Sequence, residues 1–131
     1  MGITASAGHA AGVWPCATGN DRIWHWDYNS GLNRFDASNN EYFRLMNNNG
    51  QCLGVAGGST TQGSQVVGAT CVNHNDQFWF WDGGLFANTA HFVDYGANKQ
   101  VLAVKGGLVQ RAQSLVIFAN LGSSHPDQLW F

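Results

Sequence analysis

The tetrapeptide Asp76-Gln77-Phe78-Trp79 has two counterparts along this 131-residue chain, Asp21-Arg22-Ile23-Trp24 and Asp127-Gln128-Leu129-Trp130. The three copies begin 55 and 51 residues apart. Self-similarity at a nearly fixed period indicates a structural unit that is repeated and stacked on its neighbours. The sequence therefore predicts one domain built from three repeats, at approximately 1–40, 41–90 and 91–131.

The similarity extends upstream of the tetrapeptide. A glycine eight residues before a cysteine, which itself lies five residues before the aspartate, occurs as Gly8 with Cys16 and again as Gly63 with Cys71. Further upstream, Leu53-Gly54-Val55 resembles Leu102-Ala103-Val104, and we align Met1-Gly2-Ile3 with both. Agreement at this many places favours a true repeat over chance.

Each unit is typical of short strands joined by turns. In the second unit we predict the strands Tyr42–Met46, Gln51–Val55, Gln65–Ala69 and Gln77–Trp81. Residues 47–50, Asn-Asn-Asn-Gly, tolerate the positive φ that a tight hairpin needs. One such unit cannot bury its own apolar face, so three should close around a shared axis with Trp24, Trp79 and Trp130 inside. The predicted fold is an all-β trefoil with pseudo-threefold symmetry.

Composition agrees with this fold and excludes several partners. Hydrophobic residues make up 44% of the chain, and charged residues only 11%, which argues against a long solvated helix. The net charge is −2 and the basic residues are scattered, so we predict no nucleic-acid partner. No apolar run approaches the ~20 residues of a membrane span, so no membrane insertion is expected.

At these residues the sequence resembles the ricin-type lectin family, the carbohydrate-binding β-trefoils that carry Gln-x-Trp repeats. The second unit, from Cys52-Leu53-Gly54-Val55 through Cys71 to Asp76-Gln77-Phe78-Trp79, is the clearest copy. The resemblance implies a disulfide between Cys52 and Cys71. It also implies a shallow sugar pocket in each unit, with an aromatic platform and hydrogen-bonding side chains.

Some of the side chains that would contact the sugar in that family are replaced in this sequence. The family has an aspartate directly after its Cys-Leu pair, and our alignment puts Gly2, Gly54 and Ala103 at those places. The ring beneath the sugar would be Trp14 in the first unit and Phe118 in the third, whereas the second unit has Ala69.

Candidate ligand-binding residues can be assigned unit by unit. They are Trp14, Asp21 and Arg22 in the first unit, His74, Asp76 and Gln77 in the second, and Phe118, Asn120, Asp127 and Gln128 in the third. Two alternatives stay open: Trp14 is a partly buried ring beside a solvated Asp21–Arg22 ion pair, and the Gln77 and Gln128 amides satisfy buried backbone groups.

No enzyme signature accompanies these residues. The chain lacks a Gly-x-Ser-x-Gly elbow, a phosphate loop and a His-Glu-x-x-His segment. The five histidines show no metal-ligand spacing, so we predict no catalytic residue, no metal and no cofactor. Aspartates that recur once per unit favour multivalent binding over a single active site.

The ends of the chain led to a separate expectation. With Met1 aligned to Leu53, the partner of Cys16 would lie just before Met1, and the last strand would be cut short after Phe131. We therefore expect a trefoil that lacks part of its first and last strands and is completed by a further chain segment or by a protein partner. The disulfide favours a secreted or extracellular protein.

Two functions follow. The first is a lectin module for glycans, glycoproteins or other glycoconjugates, acting alone or as the targeting part of a toxin or larger secreted protein. The alternative is a β-trefoil that has lost sugar binding and serves as a protein-binding subunit, such as a toxin-complex component, a scaffold or a protease inhibitor.

Overall fold

A computed structural model describes residues 2–5, 11–14, 19–82, 91–94, 100–107, 113–119 and 128. Within these ranges the chain forms eleven short strands and a few 3-10 turns, and no α-helix. The strands are β1 (Gly2–Thr4), β2 (Gly12–Trp14), β3 (Trp24–Trp26), β4 (Arg34–Phe35), β5 (Glu41–Asn47), β6 (Gln51–Val55), β7 (Val66–Thr70), β8 (Phe78–Asp82), β9 (His91–Asp94), β10 (Val101–Val104) and β11 (Leu115–Phe118).

All strand pairs are antiparallel, and β5 is central to the larger sheet. The pairing order is β11-β10-β9-β8-β5-β6-β7, and β3 and β4 also pair with β5. The hairpin of β1 and β2 forms a separate two-stranded sheet. Three hairpins, β1–β2, β6–β7 and β10–β11, therefore recur along the chain, one in each unit.

The hairpins share one register. Trp14 faces Gly2, Ala69 faces Cys52, and Phe118 faces Val101. The expected equivalence of positions 14, 69 and 118 is thus confirmed at the level of the backbone. The Cys52–Cys71 disulfide is present, with the two Cα atoms 5.0 Å apart, and it joins β6 to the residue that follows β7.

The same register corrects our alignment of the first unit by two residues. Ile3, and not Met1, matches Leu53: Ile3 faces Val13 where Leu53 faces Gly68, and both carbonyls accept a tryptophan N–H. Thr4, rather than Gly2, therefore shares the position of Gly54 and Ala103. Gly2 takes the position of Cys52. The position that would hold the partner of Cys16 is therefore residue 2, and not a residue before Met1 as we expected. The sequence pattern misled because the first unit lacks the Cys-Leu pair that marks the register in the second.

The three hairpins meet in one apolar core. Ala11, Val66 and Leu115 hold equivalent register positions, and each is fully buried. The Ala11 N–H donates to the Val66 carbonyl at 2.8 Å, and the Leu115 N–H donates to the Ala11 carbonyl at 2.9 Å. Side chains from all three units form a single buried cluster around this junction. The arrangement is that of a β-trefoil around a pseudo-threefold axis.

Two repeat tryptophans contribute to this core in the same way. The Trp79 ring is fully buried and its Nε1–H donates to the Leu53 carbonyl at 2.8 Å. The partly buried Trp24 packs against the same cluster, and its Nε1–H donates to the Ile3 carbonyl, also at 2.8 Å. The prediction of core positions is confirmed for these two residues. Trp130 lies outside the described residues.

A buried ion pair fastens β3 to β5. The Arg44 side chain donates from Nη2 to the Asp27 carboxylate at 2.6 Å and from Nε at 3.1 Å. Burial by itself raises the pKa of Asp27, but hydrogen bonds from Arg44 and Ser30, together with the Arg44 charge, leave that pKa below its ordinary value. Because a buried charge without a partner is costly, the pair holds the two strands in one register.

Candidate functional site

A cavity of about 490 Å³ opens on the second unit. It is lined by Gly58, Thr60, Asn73, His74, Asn75 and Asp76. His74 and Asp76, two of the three residues assigned to this unit from the sequence, both line the cavity, and Gln77 does not. Gly58 and Thr60 were missed, because only the folded chain brings the segment after β6 beside the turn before β8. Asn75 was also missed, although it lies between His74 and Asp76 in the sequence.

Two 3-10 turns position these side chains. One covers Ala56–Gly58 at the end of β6, and Gly57 and Gly58 there adopt φ values of 63° and 65°, which glycine reaches without strain. The other covers Asn75–Gln77 at the start of β8. It carries Asp76 to the end of β6, where Asp76 Oδ2 accepts a hydrogen bond from the Val55 N–H at 3.1 Å.

The Asp76 carboxylate occupies the space that a side chain on residue 54 would need. A Cβ at Gly54 would lie 2.9 Å from Asp76 Oδ2, which is closer than real Cβ atoms come to another heavy atom. It would also lie 3.1 Å from Cγ of Gln77, a tight contact. The position that is an aspartate in the family therefore carries no side chain, and an acid reaches the same place from the neighbouring turn. No described residue donates a hydrogen bond to the other oxygen, Asp76 Oδ1.

Arg34 on β4 holds two of the lining asparagines in place. Its guanidinium donates to Oδ1 of Asn73 at 2.6 Å and to Oδ1 of Asn75 at 3.0 Å, and it lies 4.2 Å above the Phe78 ring. Both asparagine oxygens are thereby engaged, which leaves the amide NH2 groups as the donors with which these side chains can bind a ligand. Arg34 comes from about 40 residues upstream, so no local motif could have revealed this contact.

Gln77 and Gln128 have a structural role. Gln77 is 3% exposed; its Nε2 donates to the Thr70 carbonyl at 2.9 Å, and its Oε1 accepts the Val72 N–H at 2.9 Å. Gln128 is fully buried and donates to the Ala119 carbonyl, the equivalent of Thr70, at 2.8 Å. These bonds support the alternative in which the repeat glutamines satisfy buried backbone groups. Their direct contact with a ligand stays an untested prediction.

The cavity combines one acceptor of full negative charge with several neutral polar groups. Asp76 accepts hydrogen bonds, the asparagine amides donate them, and the His74 ring and the Thr60 hydroxyl can do either. Among the residues that the structure describes, no Phe, Tyr or Trp ring lines the cavity. Such a set fits a ligand that offers several hydroxyl groups, and it provides no platform on which an apolar sugar face could stack.

Comparison with known proteins agrees with this geometry. A family model described as ricin-type beta-trefoil lectin domain-like matches residues 33–119. The chain belongs to that family. Among solved structures, the chain is similar to a crystal structure of the designed 3-fold symmetric protein ThreeFoil, with a TM-score of 0.73 and 17% sequence identity over 92% of this chain and 79% of that one. No curated protein matches the sequence.

In this lectin-like domain the first unit brings two of its three candidates together. Asp21 and Arg22 are both partly exposed, and Nε of Arg22 lies 3.8 Å from Oδ2 of Asp21. The backbone of Trp14 lies in β2 at the predicted platform position. Its side chain lies outside the description, so whether it stacks on a ligand is still a prediction.

The third unit is described only in part. Phe118 ends β11 at the platform position and is partly buried. Asn120 and Asp127 lie outside the described residues, and the proposed pocket of this unit stays a prediction.

The family is generally non-catalytic. Among the residues that the structure describes, no group of three or more His, Cys, Asp and Glu side chains could hold a metal ion. None of the described segments is a helix long and apolar enough to cross a membrane.

Proposed function

We propose that the chain is a carbohydrate-binding lectin module that recognises glycans or glycoconjugates through the Asp76 cavity. The supporting observation is the Asp76 carboxylate itself. The Val55 N–H fixes one oxygen, and the other adjoins a polar cavity with the donors of Asn73, His74 and Asn75. Sugar hydroxyls need directional partners of this kind.

Recognition in the second unit works by hydrogen bonds, since Ala69 stands where a stacking ring would be. Stacking is assigned to the first and third units, with Trp14 and Phe118 as platforms. Single shallow pockets bind weakly, and the repeated unit raises the effective affinity for ligands that carry several sugars. We place the module in a secreted protein, alone or as the targeting part of a toxin, because its disulfide suits an oxidising compartment.

The test is a glycan array followed by calorimetric titration of the best ligand. Asp76→Asn keeps the size of the side chain but removes its charge and one acceptor, so we expect affinity to fall about tenfold, the usual loss for a hydrogen bond to a charged group. Glu41→Gln, the same loss of charge at an exposed acid that does not line this cavity, is the matched control and should leave affinity for the glycan unchanged.

The small residues at Gly54 and Ala69 favour the second candidate, a trefoil that binds protein instead of sugar. It predicts that no glycan on a dense array is retained while a protein co-purifies with the chain. That pair of results would refute the lectin proposal.

A further inference from the structure

A second cavity, of about 170 Å³, lies at the junction of β3, β5 and β8. It is lined by Trp26, Tyr28, Glu41, Phe43, Trp79, Phe80 and Trp81, and it shares no residue with the Asp76 cavity. Six of its seven lining residues are aromatic, and the seventh is an acid. Its volume is that of about six water molecules, which suits a compact head group.

Strand pairing brings these rings together. β5 lies between β3 and β8, with Leu45 facing Trp26 and Phe43 facing Trp79. Tyr28 follows β3, and its ring meets the Phe43 ring edge to face, with 4.7 Å between centroids. Strand pairing and this ring contact thus place the lining residues around one cavity without any ligand.

The lining residues differ in solvent exposure, and this distinguishes the floor of the cavity from its rim. Trp79 is fully buried and forms the floor, while Tyr28 is 61% exposed and Trp81 is 41% exposed. Exposed apolar groups that cluster on one surface can mark a binding groove. The two rings therefore form the rim, where a ligand would enter.

The electrostatics of the lining favour a cation. Aromatic rings present negative faces to a bound group, and Glu41 adds a full negative charge. Throughout the described ranges, no Lys, Arg or His side chain forms an ion pair with the Glu41 carboxylate. A pyranose would leave most of its hydroxyls facing hydrocarbon here, whereas a quaternary ammonium has no N–H group and therefore needs no hydrogen-bond acceptor.

We propose that this aromatic cavity binds a quaternary ammonium group, held by cation–π contacts with Tyr28, Phe43 and Trp81 and by the charge of Glu41. The shared chemistry is a trimethylammonium head, carried by free choline or by a phosphatidylcholine surface. The site is separate from the glycan pocket, so the result of one test does not decide the other.

The first experiment titrates choline into the protein and follows tryptophan fluorescence and heat. We expect saturable binding, and we expect 3,3-dimethylbutan-1-ol, the neutral compound of the same shape, to bind at least about tenfold more weakly, because only the cation gains from the ring faces. Retention on phosphatidylcholine vesicles would assign the lipid as the source of the head group, and binding of choline without retention would assign a soluble carrier. Equal affinity for choline and its neutral analogue, or no binding of choline, would overturn the proposal.

Variants then connect the binding to these residues. We expect Tyr28→Ala to weaken choline binding about fivefold and Glu41→Gln about threefold, while thermal unfolding shows that both remain folded. The matched control is Phe35→Ala, which removes a ring that is 49% exposed on the adjacent strand and does not line the cavity. If Phe35→Ala weakens binding as much as Tyr28→Ala, the choline site lies elsewhere.

Discussion

Asp36 directly follows β4, and its hydrogen bonds hold the turn that leads into β5. Its Oδ1 accepts hydrogen bonds from the N–H groups of Ser38 and Asn40, and its Oδ2 accepts from the Asn40 amide and the Tyr42 hydroxyl. The same turn holds Asn39 at a φ of 65°, a conformation that asparagine tolerates better than most residues. Burial opposes ionisation of Asp36, but the hydrogen bonds from Asn40, Tyr42 and Ser38 prevail and lower its pKa from 3.8 to about 2.

This lowered pKa predicts a specific loss of stability in acid. Because the carboxylate binds protons more weakly in the folded chain than in the unfolded one, its stabilising effect is complete above about pH 4 and declines as the pH falls toward 2. We expect Asp36→Asn to lower the midpoint of denaturant unfolding at pH 6 and to have a smaller effect at pH 2.

The control for this pH series is Glu41→Gln, at an exposed acid whose carboxylate accepts no hydrogen bond from the described part of the chain. Its effect on unfolding should be small at both pH values. A difference between wild type and Asp36→Asn that stays constant from pH 6 to pH 2 would contradict the assignment.

At the scale of strands and turns, sequence patterns predicted most of the second unit. The predicted strand Gln51–Val55 has the observed bounds, and the other three differ by one residue at each end. The strand bounds could be predicted because they depend on nearby residues. Burial alternates along parts of these strands, and the Asn-rich turn between two of them ends at Gly50, which has a φ of 80°. The first unit could not be aligned correctly, because its hairpin lacks the cysteine and leucine that mark the register.

The candidate site was less predictable for a related reason. The sequence pattern pointed to Asp76, the first residue of the repeated tetrapeptide, and to His74, two residues before it. Thr60 lines the cavity from a distant segment, and Arg34 donates hydrogen bonds to two of its asparagines. The sequence around neither residue indicates these contacts. The role of Gln77 depends on the carbonyl of Thr70, a contact that only the folded turn defines.

The Cys52–Cys71 disulfide restrains the β6–β7 hairpin covalently. Cys52 and Cys71 are 19 residues apart, and closing a loop of this length removes conformational freedom from the unfolded chain. We expect the double variant Cys52→Ala/Cys71→Ala to lower the free energy of unfolding by about 3 kcal/mol, measured by denaturant titration.

Thiol titration provides the accompanying check. The chain has three cysteines, so the denatured protein should show one reactive thiol before reduction and three after it. Three reactive thiols without a reductant would mean that the hairpin is not cross-linked.

At the scale of the whole molecule, the three hairpins share one buried cluster and should unfold together. Leu115 belongs to the third unit and is fully buried where the hairpins meet. We expect Leu115→Ala to lower the free energy of unfolding of the entire chain by about 3 kcal/mol, because it leaves a cavity at this junction. Tryptophan fluorescence and far-UV circular dichroism should report one coincident transition.

A surface substitution serves as the comparison. Val72 is 37% exposed, and Val72→Ala should change stability by no more than about 0.5 kcal/mol. Two separate transitions in Leu115→Ala would indicate that the units are energetically independent.

The close approach of Asp76 to Gly54 also constrains how the cavity can change by mutation. With only 2.9 Å between that carboxylate and a Cβ on residue 54, the two positions compete for one volume. A side chain added at 54 would push the Asp76 carboxylate aside, and the Val55 N–H would then lose its acceptor. In the first unit Thr4 holds the position of Gly54, and the Ala5 N–H donates to the backbone carbonyl of Asp21 at 3.4 Å. A side chain and the repeat aspartate thus coexist there with the backbone carbonyl as acceptor, and the second unit could take the same arrangement.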